Sequence, residues 1–185
     1  FFDADPLKLR IKGLREDFDF GRTDLVQIFI DSLHDKRTGF TFVVNPGGAI
    51  RDSQTSLTDR ANQDWDGVWD AKVSKGDHVW YIEYVIPFKT LRFSSAASQE
   101  WGVNVSRIVM HLNEESNWAP VPIRFSGNQA DMARTLKGLE NIHQGRNLKF
   151  KPFAICGGPQ TRAGTQRRPT KDFKDGFAVT HHPRQ

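Results

Sequence analysis

Asp24-Leu-Val-Gln-Ile-Phe-Ile-Asp31 and Gly39-Phe-Thr-Phe-Val-Val-Asn45 are two short strand-like phrases separated by a charged link. Val26, Ile28 and Ile30 fall on one face of the first phrase, and Gln27 and Asp31 on the other, the period of a β-strand. The link Ser32–Thr38 is short enough to return the chain as a hairpin. Two further phrases follow: Trp80-Tyr-Ile-Glu-Tyr-Val-Ile-Pro87 and Trp101-Gly-Val-Asn-Val-Ser-Arg107. Each has Gly, Pro, Asn or Asp close by. This spacing predicts an all-β sandwich.

Composition agrees. The 185 residues suit one domain with a sizeable core. Fourteen Phe and five Trp against two Met favour strands over helices. No apolar run approaches the roughly 18 residues of a membrane helix. The single cysteine, Cys156, excludes an internal disulfide and a cysteine-based zinc site. No initiating Met or signal peptide is present, and Phe1-Phe2-Asp3 reads as the end of a strand already under way. The expectation is a fragment truncated at its N-terminus.

The formal charge of +4 lies wholly in the tail. From Gly157 onward stand six of the 26 basic residues and two of the 22 acidic ones, leaving 20 of each in the body. A neutral body argues against a nucleic-acid groove. The expected organisation is a sandwich over 1–156 and a basic Gly/Pro/Arg-rich tail or linker over 157–185. Within the sandwich, Asn45-Pro-Gly-Gly48 is a turn, and 49–66 is expected as a surface loop. Residues 67–75 and 78–87 pair around Lys75-Gly-Asp77. Residues 101–110 form a strand, 113–137 read as loop, and 146–155 as a last strand.

Several ordered motifs carry a family likeness. They are Phe2-Asp-Ala-Asp-Pro6, Asp24-x-Val-x-Ile-Phe-Ile-Asp31, Asp35-x-Arg-Thr-Gly-Phe40, Asp66-x-Val-Trp69, Trp80-x-Ile-Glu83, Ile86-Pro-Phe88, Trp101-Gly-x-Asn104, Trp118-x-Pro120, Gly138-Leu139 and Gly145-Arg-Asn-Leu148. In this order they resemble the family 9 carbohydrate-binding module, and most closely the branch found ahead of the β-barrel in bacterial outer-membrane proteins. The resemblance implies a jelly-roll β-sandwich, glycan or polysaccharide binding in some members, often a structural calcium ion, and a barrel following residue 155. It places the chain in the periplasm, at the outer membrane or outside the cell, as a monomeric module of a larger exported protein. The module itself would be non-catalytic, although its parent could be a glycoside hydrolase.

Sugar binding needs flat aromatic faces with polar neighbours. Trp65 and Trp69 bracket a polar stretch in Asp64-Trp-Asp-Gly-Val-Trp69, with Asn62, Gln63 and Asp66 beside them. Trp118 stands in a loop between Asn117 and Pro120. The tryptophan pair that clamps sugar in the binding member of the family has no counterpart here. One position falls on Gly21, where Phe20 is the nearest substitute, and Ser126–Lys137 has no aromatic. The alternative for Trp65 and Trp69 is core packing, which is also expected for Trp80 and Trp101. Asp24, Asp31 and Asp35, with Asn45, offer hard oxygen ligands for calcium. Turn acids are the plainer reading. Glu83 and Arg107 could pair across strands, or Glu83 could be a catalytic carboxylate, but glycoside hydrolysis needs a second one. Rival functions are a structural partner domain with no sugar ligand and an anionic-surface binder acting through the tail.

Overall fold

The computed structural model describes residues 8–56, 61–125, 127 and 129–145, and the backbone of 150–153 and 176–179. Two units divide the chain, Phe1–Gly145 and Arg146–Gln185. The first is all-β, with no α-helix among the described residues. Its strands are β1 (Leu25–Asp31), β2 (Thr38–Val44), β3 (Ile50–Ser56), β4 (Asp70–Lys75), β5 (Trp80–Val85), β6 (Ser98–Val109), β7 (Glu114–Asn117) and β8 (Arg134–Glu140). Six form one antiparallel sheet, ordered β3-β2-β1-β6, with β7 and β8 sharing the outer side of β6. β4 and β5 form a separate antiparallel pair. In the second unit β9 (Phe150–Phe153) pairs antiparallel with β10 (Gly176–Val179). The rest of the expected tail lies outside the described residues.

The register sorts the side chains into two faces. Val26, Ile28 and Ile30 stand opposite Val44, Phe42 and Phe40. This face packs against Ala71, Val73, Ile82 and Tyr84 of β4 and β5, which closes the sandwich. Trp69, Leu91, Phe93 and Trp101 fill the core between them. Burying a ring such as Phe42, which is fully enclosed, contributes about 1.5–3 kcal/mol. Trp80 and Trp101 are buried, as expected.

The other face of β1 is buried too. Phe18 packs on Leu25, Val43 and Ala49. Across β6, the Asn104 amide donates to the Gly127 carbonyl (3.1 Å), and its oxygen accepts from the backbone of Val105 and Ala119 (2.9 Å each). Gln27 and Asp31 therefore face the interior rather than solvent.

Three strands lie where the sequence reads as loop. β3 is Ile-Arg-Asp-Ser-Gln-Thr-Ser, with one apolar residue, so hydrophobic alternation misses it. β7 and β8 are short or exposed and equally polar. Glu83 is exposed on β5, turned away from Ile82 and Tyr84. β5 pairs with β4, and β6 with β1, so the expected Glu83–Arg107 pair does not form.

Gly39 is fixed by a close approach, because a Cβ there would overlap the Phe29 ring that lies across it. Gly39→Val is expected to lower stability by about 1–3 kcal/mol through overpacking. Urea unfolding monitored by tryptophan fluorescence measures it, and an unchanged midpoint would refute the packing account.

Candidate functional site

The sequence-predicted aromatic site resolves into core and surface. Trp69 is 9% exposed and edge-on to Phe42 (5.0 Å), and it stacks on Tyr84 (6.0 Å, 7°). Trp65 is half-buried against Phe40 (4.9 Å) and Phe42 (6.0 Å). Their rings are spent on the core of the sandwich, so this pair is not an open sugar platform. The cause is Asp52 on β3. Its Oδ2 accepts from Trp69 Nε1 (2.7 Å) and Gly67 N (3.0 Å), drawing the 65–69 segment inward. Burial pushes the Asp52 carboxyl above the usual aspartate range, against those two hydrogen bonds. Asn62 and Asp66 are exposed beside this segment. Asn62 holds the loop, its backbone paired with Gln54 and its side chain accepting from Asp64 N. Trp118 alone of the proposed tryptophans is well exposed, at 57%.

The three proposed calcium aspartates do not form one ligand set. Asp24 immediately precedes β1 and Asp31 ends it, roughly 20 Å apart along a strand of this length. Asp24 is buried and accepts from the backbone of Arg10 (3.2 Å) and Met110 (2.8 Å). Asp31 accepts from Asp35 N (3.3 Å) and Lys36 N (2.9 Å) in the β1–β2 turn. Asp35 accepts from Arg37 N, Thr38 N and Thr38 Oγ1. Burial raises the Asp31 carboxyl, while these donors hold Asp35 low against its own desolvation. Asn45, also considered, is consumed by its turn, accepting from Gly47 and Ala49 and donating to Gly13. Among the described residues no three His, Cys, Asp or Glu side chains are grouped to hold a metal.

A different constellation emerges on the second face of the sheet. Alternation puts Gln27 of β1, Thr41 of β2, and Arg51, Ser53 and Thr55 of β3 on that face, with Thr41 opposite Ser53 and Gly39 opposite Thr55. Thr41 is 1% exposed and Gln27 4%. The Oγ1 atoms of Thr41 and Thr55 and the Nε of Arg51 are buried without a hydrogen-bond partner. The Gln27 side chain shares that face, beside Val43 across the strand pair. Arg51 is otherwise anchored, donating to the Phe18 carbonyl and to Gln63 Oε1 (2.6 Å each). Its guanidinium lies 4.7 Å over the half-buried Phe20 ring. Phe20 is set there by a 3-10 turn, Phe20–Arg22, whose Gly21 N–H donates to Asp19. The structure thus joins two predicted residues, Phe20 and Gln63, through Arg51. Sequence reasoning missed the floor itself. Its signal was the polar alternation Arg51, Ser53, Thr55 in a stretch read as loop.

No family model matches the chain, and no curated protein matches it in sequence. Among solved structures, the chain is similar to one from Bacteroides uniformis titled a "putative carbohydrate-binding protein". The TM-score is 0.55 at 15% identity, over 70% of this chain and 67% of that one. At that identity the likeness concerns the sandwich fold.

Removing the Asp52 carboxylate tests how the tryptophan segment is held. Asp52→Ala is expected to cost about 1–3 kcal/mol, because Trp69 Nε1–H loses its buried acceptor. Asp52→Asn, which retains an acceptor oxygen, is expected to cost less. A carboxyl raised by folding binds its proton more tightly in the native state, so its stability contribution is full below 3.8 and falls as pH rises above that value. The stability difference between wild type and Asp52→Asn should therefore move in favour of wild type as pH is lowered toward 3.8. Urea midpoints across pH give the slope, and a slope of opposite sign would refute the assignment.

Proposed function

We propose that this sandwich is a non-catalytic glycan-binding module of a larger exported protein, and that the polar floor of Gln27, Thr41, Arg51, Ser53 and Thr55 is where sugar hydroxyls are held. The observation that carries this reading is the row of buried polar atoms without partners. A buried hydroxyl or guanidinium N–H left unpaired costs about 1–3 kcal/mol, and native interiors hold few of them. A sugar hydroxyl donates and accepts at once, which suits two threonine hydroxyls, a Gln amide and an Arg N–H. The row runs from half-buried Arg51 and Thr55 on edge strand β3 inward to Gln27, so the approach is from the β3 side. There the half-buried Phe20 ring offers an apolar wall for C–H stacking. The likeness of fold to a protein titled as carbohydrate-binding supports the same reading. Association with an outer-membrane barrel and a periplasmic or secreted location belong to this proposal through the motif resemblance.

One observation favours a second reading, a structural domain that packs on a protein partner. Trp65 and Trp69 lie against the core rings, so neither supplies a clamp at the floor.

Stability and binding should move in opposite directions. Thr41→Val deletes an unpaired buried hydroxyl at nearly constant shape, so it is expected to leave stability unchanged or raise it by about 1 kcal/mol. The same change should weaken glycan binding about tenfold, the value of one lost hydrogen bond of ordinary strength. A glycan array identifies neutral hits, and calorimetry compares wild type with Thr41→Val and Gln27→Leu. Absence of any neutral-glycan hit for the folded protein would discard the floor as a sugar site and favour the partner-domain reading. Binding that survives both substitutions would also discard the floor.

A further inference from the structure

A second surface lies on the opposite face of the same sheet. β7 and β8 dock end to end along the outer side of β6, β7 against Ser106–Val109 and β8 against Ser98–Val103. Trp118 follows β7 directly, its backbone N–H donating to the Val105 carbonyl (2.8 Å). Arg134 stands opposite Val103, and Leu136 opposite Trp101. Strand alternation puts these side chains on the face of β6 that carries Trp101, away from the polar floor. Leu136, Arg134 and Trp118 therefore form a row along the sheet edge, and all three are exposed.

Within that row the Arg134 guanidinium lies 5.3 Å from the Trp118 ring centroid. A cation over an exposed indole is attracted to the ring face, which holds both side chains in one geometry. Arg134 has no carboxylate partner among the described residues. Its neighbour Lys137 is paired with Glu100 (3.1 Å), and Glu114 of β7 accepts from Ser116 Oγ (2.8 Å). The row thus presents one flat aromatic ring, one unneutralised planar cation and one apolar side chain in line.

We propose that Trp118 and Arg134 form a second carbohydrate site that takes an acidic polysaccharide. A uronate residue stacks on the indole and places its carboxylate on the Arg134 guanidinium, whose fork matches two carboxylate oxygens. A neutral sugar would use the ring and leave the cation idle. A nucleic acid would need several phosphates neutralised, whereas the body of this chain carries equal numbers of acidic and basic residues. The linear edge suits a polymer, which passes without entering the protein. The site is independent of the polar floor, which is tested with neutral glycans.

The test compares polygalacturonate with its fully methyl-esterified form, with alginate as a second uronate polymer, using calorimetry on the whole chain. The proposal expects the ester, which has the sugar but not the charge, to bind at least about tenfold more weakly, the loss of one charge-assisted hydrogen bond. Arg134→Gln should lose a similar factor for the charged polymers, and added salt should weaken wild type toward it. Trp118→Ala should remove binding and the accompanying fluorescence change. Both surface residues are exposed, and retained thermal transitions confirm that the variants fold. Equal affinity for acid and ester, unchanged binding in Arg134→Gln, or no binding of either uronate polymer would overturn the proposal. Binding of a single-stranded oligonucleotide through the same two residues, without uronate binding, would overturn it in favour of a nucleic-acid surface.

Discussion

The fold depends on one strand being covered on both sides. β1 lies in the interior of the six-stranded sheet, hydrogen-bonded to β2 along one edge and β6 along the other. Its even-numbered side chains meet the β4–β5 pair, and its odd-numbered ones meet the segments that return over the second face. A strand in that position has no solvent side on which to leave polar groups. Every polar residue in it must find a partner inside the protein or carry an unmet hydrogen bond. Asp24, just before it, and Asp31, at its end, find theirs in backbone N–H groups. Next to it, on β2 and β3, the Thr41 and Thr55 hydroxyls do not.

That contrast explains how the acidic residues are used. Asp24, Asp31 and Asp52 are all buried, and each fastens a distant or irregular segment to the sheet by accepting main-chain or indole N–H groups. For Asp31 and Asp52 desolvation outweighs those hydrogen bonds and the carboxyl is raised; for the more open Asp35 three donors from Arg37 and Thr38 prevail and it is lowered. An oxygen already directed at two backbone donors is poorly placed to turn toward a cation. Aspartates closely spaced in a β-rich sequence can resemble calcium ligands for the same reason they make good staples: both roles call for a short, hard-oxygen side chain at a strand end.

How much of this was legible in the sequence follows from what each element displays. β1, β2, β5 and β6 carry alternating or continuous apolar residues and were readable as strands, and with them the sandwich. β3 was not, because Arg51, Ser53 and Thr55 face a polar interior and Asp52 is spent on Trp69. β7 and β8 lie along an exposed edge where pattern is weak. Trp65 and Trp69 looked like platforms because polar residues surround them in sequence. Their environment was decided by Asp52, roughly 15 residues away in the chain and on a strand that pattern did not reveal. The unpaired floor was invisible for the same reason, since it depends on the register between β2 and β3.

The two polar surfaces therefore differ in what they cost the fold. Trp118 and Arg134 stand on an edge where water satisfies whatever the protein does not, so their placement is nearly free. The floor lowers the stability of the sheet around it. Three buried polar atoms without partners, at about 1–3 kcal/mol each, are a sizeable fraction of the 5–15 kcal/mol that separates a typical domain from its unfolded state. Valine in place of either threonine would relieve that burden and fit a β-strand at least as well. Hydroxyls kept in such positions are therefore a cost that the packing of the sheet itself does not require.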